Sequence, residues 1–317
     1  MGRLRTLATA STIATFILIS IGGLVRATKS GLGCGTDWPD CSGKVIPVFS
    51  NYTVAVEFSH RLAAALVTVL IAALAFTAIR SHRDKPKILW SAVGAFLLVL
   101  FQAGLGAVVV MLELDADTVV LHLGTAMTLL ALLVHLTYRI RATMGGPVTP
   151  NRAVSRSALA MAIGVLLLLL VGSYLSGTGG TGGFRDWPLM DGRLVPDLAQ
   201  QAQAVHFFHR ALAALIGVMV AVLGLRVIRS KSEVPEAARL THIALGLFAV
   251  EVLIGAINVW TRLNAAAVTA HLAVGAAIWA TLVATAASTS PALALAAEEA
   301  HARPARGAQP LLETSRP

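Results

Sequence analysis

Eight apolar runs, each long enough to cross a bilayer, constrain this chain more than any other feature. They lie near 7–25, 54–79, 88–111, 118–138, 157–175, 204–225, 240–260 and 265–288. A hydrocarbon core about 30 Å thick needs roughly 20 apolar residues per helix, and inside it every backbone N–H and C=O must be paired within the segment. Only 13% of the 317 residues are charged and 56% are hydrophobic, whereas a soluble domain carries about 25% charge. The expected class is therefore all-α and integral to a membrane, with eight transmembrane helices.

The net charge of +9 does not point to nucleic acid, because of where it sits. Basic residues gather at Arg3 and Arg5, at Arg80, Arg83, Lys85 and Lys87, and at Arg139, Arg141, Arg152 and Arg156. They gather again at Arg226, Arg229, Lys231 and Arg239, and in the tail. These are alternate loops, so the positive-inside rule places both termini in the cytoplasm. Loops 26–53, 112–117, 176–203 and 261–264 are then external, and the lipid bilayer is the partner that the composition implies. The first apolar run is read as a retained helix rather than a signal peptide, since its repeat partner is internal. With no Arg- and Ser-rich presequence ahead of it, a bacterial plasma membrane is expected.

The chain repeats itself. Asp37-Trp38-Pro39 returns as Asp186-Trp187-Pro188, a shift of 149. At the same shift His60-Arg61 becomes His209-Arg210, Gly106-Ala107 becomes Gly255-Ala256, and His122-Leu123 becomes His271-Leu272. The register is expected to hold without a gap from helix 1 to helix 4. Four helices per copy is an even number, so the copies run parallel about a pseudo-two-fold axis along the membrane normal. The expected architecture is two tandem four-helix bundles, 1–142 and 157–288. Between them, 143–156 is a cytoplasmic linker broken by Gly145, Gly146, Pro147 and Pro150. The tail, 289–317, shows no periodicity and is expected to be disordered.

Of nine histidines, His60, His122, His209 and His271 belong to the duplicated set. A single intramembrane His commonly bonds to a neighbouring helix, but recurrence on equivalent helices favours a ligand role. His60 lies about seven residues into its helix, so about 10 Å below the outer end, and His122 is at a similar level. Two imidazoles at matched depth in a bundle suit an iron porphyrin held from both sides. Zinc would more often show further ligands, and no Cys lies in this region.

Glu57 stands one turn before His60, where the second copy has His206 before His209. A carboxylate inside the bilayer costs roughly 2.5–3.5 kcal/mol and is usually functional, which marks the first copy for chemistry. Arg61 and Arg210 suit haem propionates or snorkel toward the interface, with equal weight. Glu251, whose repeat partner is Gln102, is expected to bond helix to helix, with proton handling a minor alternative. Cys34 and Cys41 share one external loop where a disulfide is permitted, as a staple or as a redox pair.

Several runs together resemble the haem A synthase family. They are Gly22-Gly23-Leu24-Val25-Arg26, Ser30-Gly31-Leu32-Gly33-Cys34, Asp37-Trp38-Pro39-Asp40-Cys41 and Glu57-Phe58-Ser59-His60-Arg61, and the likeness spans essentially 7–288. It implies oxidation of a haem O methyl group to the formyl of haem A, through hydroxylation steps. By the same likeness His60 and His122 bind substrate haem O with Glu57 required for catalysis, and His209 and His271 ligate a haem b cofactor. It carries the further expectation of a handover from a haem O-supplying synthase, while the electron partner is not legible. Some relatives carry a second cysteine pair that this sequence lacks. The competing reading is a di-haem cytochrome that passes electrons from quinol without porphyrin chemistry. It does not explain why Glu57 replaces His206.

Overall fold

The computed structural model describes residues 1–49 and 51–307, and in that range the chain is mainly helical, with long loops after Ala27 and after Gly177 and short connections elsewhere. Eight helices are long and apolar enough to span a membrane. They are α1 (Gly2–Ala27), α2 (Tyr52–Ser81), α3 (Pro86–Met111), α4 (Ala116–Thr143), α5 (Arg152–Gly177), α6 (Gln201–Arg229), α7 (Pro235–Trp260) and α8 (Ala265–Ser288). A ninth, α9 (Pro291–Gly307), follows. The helices outrun the apolar runs by up to five residues, and polar side chains close four of their N-termini. Asn51, Asp115, Asn151 and Asn264 each accept a backbone N–H of the first turn, which satisfies a donor that would otherwise be orphaned. Pro86 and Pro235 open α3 and α7, where the missing N–H costs nothing.

Packing follows the chain in two rounds. The helix α1 packs on α2 and α4, α2 on α3, and α3 on α4; likewise α5 packs on α6 and α8, α6 on α7, and α7 on α8. The two rounds meet through α1 and α4 against α8, and α4 against α5. Large apolar side chains such as Val69, Phe76, Leu97 and Leu253 remain exposed around the outside. In water such a surface would be a liability; in hydrocarbon it is the solvent-facing side.

Two expectations need correction. The gapless register fails between α1 and α5, whose bounds differ by 150: Gly2 pairs with Arg152, and Ala27 with Gly177. From the Trp-Pro turn onward the shift is 149, so one residue is missing from the second long loop. The turn bridges show this register, Cys41 with Lys44 and Met190 with Arg193. The tail, expected to be disordered over 289–317, forms α9 as far as Gly307, and residues 308–317 lie outside the described range. Pro291 starts the helix and an Ala-rich run continues it, both favourable to helix. Leu293, Ala294 and Ala297 are buried, with α9 seated on α4.

Candidate functional site

The four duplicated histidines share one local arrangement. Each ring packs edge-on against a glycine of the preceding helix. A Cβ at Gly22 would stand 3.3 Å from His60 Cε1, and one at Gly106 would stand 3.2 Å from His122 Cε1. At Gly172 it would be 3.1 Å from His209 Cε1, and at Gly255 3.4 Å from His271 Cε1. A side chain at Gly22, Gly106 or Gly172 would press on its ring, and at Gly255 a methyl would just reach contact, so the glycines set how closely each imidazole approaches the preceding helix. His60 and His122 lie within electrostatic reach of each other, as do His209 and His271. Nδ1 of His60, His206, His209 and His271 is buried without a hydrogen-bond partner.

Three of the unduplicated histidines behave differently. His242 Nδ1 lies 2.6 Å from Ala238 O, His301 Nδ1 2.8 Å from Ala297 O, and His135 Nε2 3.1 Å from Arg139. They are satisfied locally. Among the described residues no three His, Cys, Asp or Glu side chains converge on a single ion position. The duplicated rings instead come as pairs, and the side-chain contacts of His122 and His271 run through Nδ1, which leaves Nε2 for an iron porphyrin.

Glu57 is buried and held from two sides. Its Oε2 accepts the Cys34 N–H at 2.7 Å, and its Oε1 accepts from Arg61 Nε at 3.2 Å and Nη2 at 2.5 Å. Arg61 Nη1 then donates to the carbonyls of Asp37, Pro39 and Asp40 at 3.0, 3.3 and 2.6 Å. The guanidinium therefore neither snorkels nor stands free; it ties the first long loop to the helix that carries His60. Cys34 and Cys41 are bonded as a disulfide and buried, which fixes the loop segment whose N–H reaches Glu57.

The second copy keeps this plan with other chemistry. Arg210 Nε contacts His206 Nε2 at 3.2 Å, and its Nη1 donates to Asp186 O and Leu189 O at 3.1 and 3.0 Å. Arg210 Nη2 is buried with no partner. Phe184 packs on the His206 ring, 5.3 Å between centroids, and lies 5.7 Å below the Arg210 guanidinium. The second loop has Gly183 and Met190 in place of the two cysteines, and its Asp186, the repeat partner of Asp37, accepts the N–H groups of Asp191 and Gly192 at 2.8 and 2.9 Å. Those donors, Gly192 first, hold the Asp186 carboxyl below the usual carboxylate range.

Gln102 and Glu251 stand out in the sequence only as intramembrane polar residues. Their partners turn out to be the histidines of the next helix. Gln102 Nε2 lies 3.2 Å from His122 Nδ1 and donates to His122 O at 2.9 Å. Glu251 Oε1 lies 3.2 Å from His271 Nδ1. The signal available in the sequence is the separation, 102 to 122 and 251 to 271, across a tight helix hairpin in both copies.

Gly33 sets how closely the disulfide loop approaches α2: a Cβ there would stand 2.4 Å from Thr53 O. Gly33→Ala must therefore lift the loop and lengthen the Cys34 N–H bond to Glu57. We expect turnover to fall by about tenfold, the worth of a displaced charge-assisted hydrogen bond, with pigment content unchanged. Unaltered turnover would show that the loop does not position Glu57.

Comparison with known proteins gives a consistent picture. Residues 5–283 match the COX15-CtaA family, described as "Cytochrome oxidase assembly protein". The chain is 32% identical over 225 residues to the "Heme A synthase" of Halalkalibacterium halodurans, covering 69% of this chain and 74% of the relative. It is 30% identical over 225 residues to that of Shouchella clausii, with the same coverage. With the "Heme A synthase" of Symbiobacterium thermophilum it shares 29% over 290 residues, 89% of this chain and 94% of the relative.

Proposed function

Because the chain belongs to the COX15-CtaA family of cytochrome oxidase assembly proteins, we propose that it is a multi-pass haem A synthase, oxidising a methyl group of haem O to a formyl. The observation that carries this reading is the asymmetry of two otherwise copied sites. The first places a buried, doubly held carboxylate, Glu57, one turn from His60, and the second places His206 there.

Labour divides between the two copies. Residues 1–142 form the substrate half, with His60 and His122 receiving haem O. Residues 157–288 form the cofactor half, with His209 and His271 ligating haem b and His206 and Arg210 flanking it. When bound, haem b supplies one-electron redox capacity to that half. Arg210 Nη2, buried without a partner, suits a propionate, whereas Arg61 is committed to Glu57 and the loop carbonyls. Both termini are cytoplasmic, so the two long loops close the external end.

Glu57 works as a fixed anion. A methyl carbon losing hydrogen develops positive charge, and a carboxylate already oriented by Cys34 N–H and Arg61 stabilises it without reorganising. Such a carboxylate is also placed to take a released proton. Fixing it matters, because in a low dielectric a carboxylate free to turn away contributes far less. Haem O arrives from the enzyme that makes it; each methyl-to-formyl conversion takes its oxygen atom from one water and releases four protons and four electrons, and the electrons leave to an acceptor outside the chain.

The test is pigment extraction. Protein purified from cells that also make haem O should yield haem A, with haem O or its alcohol alongside haem B. Haem B alone, two per chain, would replace this reading with a di-haem electron carrier.

A further inference from the structure

Gln102 and Glu251 occupy equivalent places but offer their histidines opposite chemistry. An imidazole that binds iron through Nε2 must carry its proton, if it has one, on Nδ1, and an acceptor at Nδ1 favours that form. Glu251 is such an acceptor. Its Oε1 is 3.2 Å from His271 Nδ1, a charge contact rather than an aligned hydrogen bond, so His271 Nδ1 and Glu251 Oε2 are both buried without a hydrogen-bond partner. The contact is at ion-pair distance, with the ring N–H short of ideal aim. The carboxylate is also pressed against α8, where a Cβ at Gly275 would stand 3.0 Å from Oε1.

Gln102 cannot play this part. Its amide nitrogen has no lone pair to offer. The amide is oriented by two other bonds: Nε2 donates to His122 O at 2.9 Å, and Oε1 accepts the Thr125 hydroxyl. Turning the amide over would place its oxygen 2.9 Å from the His122 carbonyl oxygen, acceptor against acceptor. The group facing His122 Nδ1 is thus an N–H donor at 3.2 Å. A donor there makes Nδ1 an acceptor and moves the ring proton to Nε2, the nitrogen that iron would need. Thr125 has no counterpart in the second copy, where the position is Val274.

We propose that Gln102 and Glu251 are positioning residues that make His122 a displaceable iron ligand and His271 a permanent one. The inference rests on the histidine assignments of the proposed function and deepens them. It gives the substrate half a ligand that must break its amide contact to bind, so the site releases one axial position easily. It gives the cofactor half a ligand already oriented for iron. Substrate must enter and product must leave, while a resident cofactor must stay, and one residue difference per copy separates the two behaviours.

The experiment uses the full chain, purified with its haems and reduced with dithionite, with carbon monoxide as the probe. Wild-type protein should show one rapidly CO-reactive haem and one unreactive haem. Gln102→Glu supplies an acceptor and should slow CO binding at the first site by about tenfold or more, the scale on which partners of metal ligands act. Gln102→Leu removes the donor and should slow it less. Glu251→Gln should do the reverse, making the second haem CO-reactive, and Glu251→Asp should largely restore its inertness. Low-temperature EPR of the ferric proteins should report the same exchange of ligand strength. Wild-type protein with both haems inert, unchanged CO kinetics in Gln102→Glu, or loss of first-half haem from that variant would each overturn the inference. Wild-type protein that binds no haem would instead overturn the proposed function.

Discussion

Replacing Glu57 with Gln should abolish haem A formation, lowering turnover by about 10²- to 10⁴-fold, while haem B content and the haem b spectrum stay as in wild type. The magnitude is what a positioned acid–base group supplies. Gln is the informative substitution because of what Glu57 holds. Its two oxygens receive Cys34 N–H and the Arg61 Nε and Nη2 groups. Alanine would strand all of them, at about 1–3 kcal/mol for each buried donor, and would confuse a folding defect with a chemical one. The amide oxygen of Gln retains one acceptor at nearly the same position and removes the charge. Haem O, or an alcohol halted before the formyl, should accumulate in the extract. If the Glu57→Gln protein still produced haem A at wild-type rate, the asymmetry between the two copies would not be catalytic, and the chemistry would have to be sought elsewhere.

Much of this arrangement is legible in the sequence, and the reasons are physical. Apolar runs in a charge-poor chain have few alternatives to membrane helices, and the basic loops order them. The histidine pairs are legible because duplication acts as an internal control: His60 and His122 recur, whereas His135 and His242 do not. What escapes is contact information that spacing alone does not carry. The one-residue offset between α1 and α5 is hidden because lipid-facing Leu, Ile and Val substitute freely. It emerges only where geometry is strict, with Gly22 under His60 and Gly172 under His209. From sequence the role of Arg61 is divided between propionate and interface; the structure shows it spanning Glu57 and three loop carbonyls, a link across 21 to 24 residues of sequence. The helix α9 escapes because the polarity of its Glu and His residues outweighs its Ala content. Burial of Leu293 and Ala297 against neighbouring helices supplies the stability that an isolated segment of that length lacks.

The second large effect separates the halves. His271→Ala should remove about one haem per chain, the haem B component, and with it haem A synthesis, because only His209 would then remain to hold a haem in the cofactor half. His122→Ala should leave haem B in place and instead deplete haem O and its oxidised products. Removing either ring leaves a cavity and strands its partner, Gln102 or Glu251, so both variants lose some stability, but a general loss would deplete both pigments together. Any difference in which pigment disappears therefore reports ligation rather than general instability. The measurement is quantitative extraction of both variants, with size-exclusion profiles to show intact protein. Loss of the same pigment from both would mean that the copies do not divide substrate from cofactor, and that Glu57 acts on a haem shared between them. Loss of haem B from His271→Ala alone, with haem O still bound but unconverted, would show that oxidation in the first half depends on electron transfer through the second.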